Sequence, residues 1–86
     1  MSERAGRPEL SYPCAWVYKA IGRDAAAVRA AVTEVIPEAR CTIATGRASH
    51  GGKYVSVRVE LEVQSEAERD AFFLGLRDHA DIVLVL

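Results

Sequence analysis

From Lys53 to Val63 the chain reads KYVSVRVELEV, with apolar and polar residues in strict alternation. Val55, Val57, Val59, Leu61 and Val63 fall on one side, and Tyr54, Ser56, Arg58, Glu60 and Glu62 on the other. A period of two belongs to a strand with one buried and one wetter face. CAWVYKAIG, from Cys14 to Gly22, is aromatic and β-branched and predicts another strand, closed by glycine. Between these runs the period lengthens. In AAAVRAAVTEVI, Val28, Val32, Val35 and Ile36 lie on one helical stripe, kept thin by alanines and so suited to close packing on a sheet. Asp24 is placed to cap that helix, and Pro37 to end it.

The remaining segments are shorter. ARCTIAT, residues 39–45, predicts a brief strand. Ser65 and Glu68 form an S-x-x-E capping box, which opens a helix over EAERDAFFLGLRDH with Phe72, Phe73 and Leu76 inward. DIVLVL, residues 81–86, predicts a final strand. The order β-α-β-β-α-β is that of an α+β, ferredoxin-like domain. Right-handed crossovers then give a four-stranded antiparallel sheet of order 4-1-3-2, with both helices on one face. The last strand is an edge, and edges are ordinarily guarded by Lys, Pro or a bulge. Here Ile82, Leu84 and Leu86 point one way and Val83 and Val85 the other, so the valine pair is expected on the open side. We expect Val83 and Val85 to form an interface in a homodimer, which would close the edge.

Composition narrows the function classes. The 86 residues fit one domain over 12–86, preceded by a loose, charged, Gly- and Pro-containing tail over 1–11. A formal charge of −1 argues against nucleic acid, whose binders draw affinity from a basic excess. No window resembles a signal peptide or a membrane span, so the expected location is the cytoplasm. Cys14 and Cys41 lack metal-ligand spacing and would sit two strands apart, roughly 9–10 Å, too far for a disulfide. They are expected to be reduced.

GRASHGGKY, residues 46–54, has the look of a phosphate-cradling loop, but a P-loop leads into a helix and places Ser or Thr directly after its lysine. Here a strand follows and Tyr54 stands after Lys53. As an RNA-reading strand it offers only Tyr54, with Ser56, Arg58 and Glu60 beside it, where base stacking needs several aromatics. The stretch reads as a turn, with Gly51 and Gly52 supplying positive φ.

YPC followed by YKAIG, then SHGGKYVSV (Ser49 to Val57), FFxxL (Phe72 to Leu76) and a terminal LVL resemble the YbeD-like family of small bacterial proteins. The resemblance runs over residues 12–86. It implies a ferredoxin-like fold similar to ACT-type regulatory domains, no known catalytic activity, and a regulatory link to lipoate metabolism through neighbouring lipoate-attachment genes. It also marks Ser49, Gly52, Lys53, Tyr54 and Ser56 as a hairpin motif. His50 and Gly51 depart from the family's Ser-Lys, and Val83 stands where a basic residue is common.

Candidate chemistry is sparse. An acylphosphatase-like mechanism could take Arg23 from the glycine turn, but the chain has no asparagine to orient water. His50 and His79 lie on separate elements and make neither a metal site nor a triad. The turn Gly22-Arg23-Asp24 is the candidate ligand site, because free N–H groups at a helix start, helped by Arg23, favour a small anion. Asp24 competes for those donors. The reading is a non-enzymatic regulatory or adaptor domain without cofactor or metal, which binds a protein partner or a small anionic metabolite. Its rival is an RNA-binding domain using the open face around Tyr54 and Arg58.

Overall fold

A computed structural model describes residues 11–48 and 52–86. Its elements are β1 (Cys14–Gly22), α1 (Ala25–Val35), a 3-10 turn (Glu38–Arg40), β2 (Cys41–Ala48), β3 (Val55–Val63), α2 (Glu66–Arg77) and β4 (Leu84–Val85). All but Ser11 of the expected tail lies outside the described residues. The strands form one antiparallel sheet in the order β2-β3-β1-β4, the predicted order read from the other edge.

Val57, Val59, Leu61 and Val63 of β3 are buried, as the alternation requires. They meet Tyr18 and Ala20 of β1, Val28, Ala31, Val32 and Ile36 along α1, and Leu76 of α2. The caps stand where the sequence puts them. The Asp24 carboxylate accepts the Ala27 N–H at 2.8 Å, and the Ser65 hydroxyl accepts the Glu68 N–H at 3.1 Å. Val35 and Gly75 mark the helix crossing: a Cβ on Gly75 would lie 2.8 Å from Val35 Cγ1. Cys14 lies opposite Val63 and Cys41 opposite Leu61, on the two flanks of β3, and both are free thiols.

Four local expectations are corrected. β2 begins at Cys41, not Ala39, because the Arg40 N–H turns back to the Pro37 carbonyl. It also continues to Ala48, past a register shift after Thr45 that takes up an extra residue around Gly46. α2 ends at Arg77; only Leu76 in it is fully buried, while Phe72 and Phe73 are partly covered. The largest change is at the C-terminal strand. The Ile82 N–H bonds to the His79 carbonyl, which extends the turn after α2 and leaves only Leu84–Val85 as strand. Pairing of Ala20 with Val85 then carries Val85 into the core, while Leu84, opposite Ile21, faces outward. Val85 is therefore core, not interface, and of the expected valine pair only Val83 is exposed.

Glu68 shows how the capping box is adapted. Its carboxylate does not return to the cap residue but accepts the Gln64 N–H at 2.8 Å. It also takes both ends of the Arg40 guanidinium, at 2.7 and 2.8 Å, while Arg40 donates to the Glu62 carbonyl at 3.2 Å. Hydrogen bonds from Arg40 first, and from Gln64 second, hold the Glu68 carboxyl at about 2. A depressed carboxyl pKa stabilises the fold above its unfolded value, and that stability is lost as pH falls through the folded value. Between the ordinary glutamate range and about pH 2, wild-type stability should therefore fall more steeply than that of Glu68→Gln. Urea unfolding at a series of pH values measures this; parallel curves would remove Glu68 as a source of acid sensitivity.

Candidate functional site

β1 and β3 run antiparallel with Gly22 opposite Val55, so the chain leaving β1 lies beside the chain entering β3. Arg23 and Tyr54, 31 positions apart in sequence, meet there. The guanidinium stands over the Tyr54 ring, 5.8 Å from its centroid. Arg23, Lys53 and Tyr54 line a cleft of about 330 Å3. On its other side Arg23 borders a second cleft, of about 310 Å3, with Asp24, Ala27, Ala80, Asp81 and Val83. The structure thus brings together the two stretches that the sequence suggested separately, the turn after Gly22 and the hairpin.

It also sorts their members. Gly22 is buried: a side chain there would run into Val28 and the Asp81 carbonyl, so no ligand approaches its backbone. Asp24 is committed to its cap. Of that trio Arg23 alone is exposed and uncommitted to the fold. In the hairpin motif, Gly52 has φ 72°, the left-handed turn position expected of it; Ser49, with His50 and Gly51, lies outside the described residues. Ser56 is partly buried, and a Cβ on Gly46 would come within 2.6 Å of its hydroxyl.

The sheet face away from the helices is the second candidate. Val17, Leu84 and Leu86 are 43%, 48% and 65% exposed. Leu84 is paired with Ile21, and Leu86 exchanges backbone hydrogen bonds with Lys19 at 2.9 and 3.1 Å. On β3 the same face is polar. Arg58 is tied to Glu60 at 2.5 Å, so this cation is not offered freely to a phosphate backbone. The Lys19 ammonium and the Glu62 carboxylate have no ion-pair partner among the described residues.

Two clusters that sequence reasoning missed are structural. Arg69 of α2 lies over the Trp16 ring, 5.0 Å from its centroid, and donates to the Tyr12 hydroxyl at 3.1 Å. The Tyr18 hydroxyl donates to the Arg69 carbonyl at 2.5 Å, and burial pushes that phenol up to about 12. The period-two spacing of Tyr12, Trp16 and Tyr18 was the available signal, since it aligns their rings on one face. His79 follows the end of α2. Its Nδ1 accepts the Asp81 N–H at 3.1 Å, which leaves the proton on Nε2 to reach Glu34 of α1 at 2.9 Å. No group of three possible metal ligands occurs among the described residues, and no helix there is long and apolar enough to cross a membrane.

A family model described as "Protein of unknown function (DUF493)" matches residues 7–86. A UPF0250 protein of Hahella chejuensis is 29% identical over 83 residues, covering 92% of this chain and 91% of that protein. Among solved structures, a solution structure of HP0495 from Helicobacter pylori aligns with a TM-score of 0.78 at 24% identity, covering 100% of this chain and 94% of that one. A second solution structure of HP0495 gives 0.63 at 24% identity over 87% of each chain. At that identity the likeness speaks for the fold.

Proposed function

Because the chain belongs to the DUF493 family, whose function is unknown and whose members include the YbeD-like proteins it resembles, we propose that it is a non-enzymatic regulatory or adaptor domain acting by protein association, first with a second copy of itself. One observation carries this reading: the exposed strip of Val17, Leu84 and Leu86 on the open sheet face, next to an edge strand. Ordinary surfaces scatter such residues singly, whereas a contiguous apolar strip beside free strand groups is what an interface buries.

A second copy suits the face electrostatically. Lys19 lies two positions to one side of Val17 on β1. Glu62 lies opposite Ala15, two positions to the other side. A two-fold pairing about the Val17 row sets Lys19 of one copy against Glu62 of the other, so the two unpaired charges neutralise each other.

Light scattering coupled to size exclusion tests the proposal. The intact chain is expected at dimer mass at about ten micromolar and above. Leu84→Lys should weaken association by about tenfold or more, because it replaces an apolar side chain of the strip with a charge that association would have to desolvate. A monomeric intact chain would overturn the reading. A dimer unaffected by Leu84→Lys would move it off this face. The lipoate link implied by the resemblance makes lipoate-attachment enzymes the first heterologous partners to try.

A further inference from the structure

We infer that the cleft between Arg23 and Lys53 binds a small organic anion, with its carboxylate or phosphate between the two cations and the rest of the molecule against Tyr54. This goes beyond the association reading and uses a different surface.

Four arginines find their counter-charge within the fold. Arg40, Arg58, Arg69 and Arg77 each hold a carboxylate. Arg23 and Lys53 hold none among the described residues, although acidic residues outnumber basic ones in the whole chain, 12 to 11. Two unneutralised cations on one small cleft repel each other, and the arrangement gains most from an anion that bridges them. Guanidinium is the side chain best shaped for this, since it offers two parallel N–H groups to the two oxygens of a carboxylate or phosphate.

Tyr54 defines the rest of the site. The ring is partly buried, and the Arg23 contact fixes the guanidinium above it. It provides an apolar wall beside the charged end, the combination found in small-molecule sites. A volume of about 330 Å3 lies at the lower end of such cavities, which selects a metabolite over a polymer. Charge selects in the same direction. Asp24 and Asp81 line the neighbouring cleft on the far side of Arg23, where a chain of phosphates running past Tyr54 would meet two carboxylates. The helix start adds little: Asp24 already occupies its Ala27 N–H. The binding groups are the two side chains.

The test is a titration of the full chain with citrate and, separately, inorganic pyrophosphate, followed through the backbone amide resonances. Saturable shifts centred on Arg23, Lys53 and Tyr54 are expected with at least one probe, and which probe saturates distinguishes carboxylate from phosphate. Arg23→Gln should weaken binding by about tenfold or more, through loss of a charged hydrogen-bond donor. Arg77→Gln removes the same charge elsewhere and should leave binding unchanged. Shifts that fail to saturate by about 10 mM with both probes, or equal losses in the two variants, would overturn the inference. Its fate is separate from that of the dimer: a chain that is monomeric by light scattering and still binds a probe would remove only the association reading.

Discussion

Gly22→Ala is expected to destabilise the domain by about 3 kcal/mol, the cost of overpacking a site that cannot give way. Gly22 ends β1 against the helix layer, where an added Cβ would lie 2.5 Å from the Asp81 carbonyl oxygen and also collide with a Val28 methyl. Neither neighbour is free to move. Val28 is fully buried in α1, and the segment after Asp81 is fixed by hydrogen bonds from Ile82 to His79 and from Val83 to Ile21, at 3.1 and 2.7 Å. Alanine ordinarily improves on glycine in a strand, so the sign of the effect is itself diagnostic. Against a total of about 5–15 kcal/mol for a domain, the urea midpoint should fall by at least about 1 M. An unchanged midpoint would mean that the turn after α2 does not pack on Gly22.

Leu76→Ala should cost about 3–4 kcal/mol, and more than Phe73→Ala despite the larger volume lost from the phenylalanine. Leu76 is the one fully buried side chain of α2, so its removal leaves a closed cavity that the sheet and α1 cannot fill. Phe73 is only partly covered, and truncating it opens a surface groove that water occupies. Urea unfolding of both variants gives the comparison. A larger loss for Phe73→Ala would place the weight of helix docking on the rim of the helix, not its centre.

These two residues show what was legible in advance. Leu76 was readable from the helical period, together with Phe72 and Phe73; their rank was not, because period assigns a face and not a depth. Gly22 was legible as the end of a strand. That it must be glycine depends on Asp81, 59 positions away, which no local pattern announces.

Val85 illustrates the same limit. Alternation within DIVLVL correctly separates two faces if the whole segment is strand, but the turn after α2 extends through Ile82 and resets the phase. The side chains assigned to the open side were thereby exchanged: Val85 went to the core, and Leu84 and Leu86 outward. The proposed interface moved with them.

The sequence by itself determined the element types, the two helix caps and the sheet order. Each rests on short-range physics: backbone period, a side chain reaching a free N–H three residues away, and the handedness of crossovers. Only the tertiary structure decided which residues share a site. Arg23 follows β1 and Tyr54 precedes β3, and nothing local to either segment aligns them. The antiparallel register that sets Gly22 opposite Val55 does, and that register is settled by the packing of the buried alternate residues of both strands against the helices.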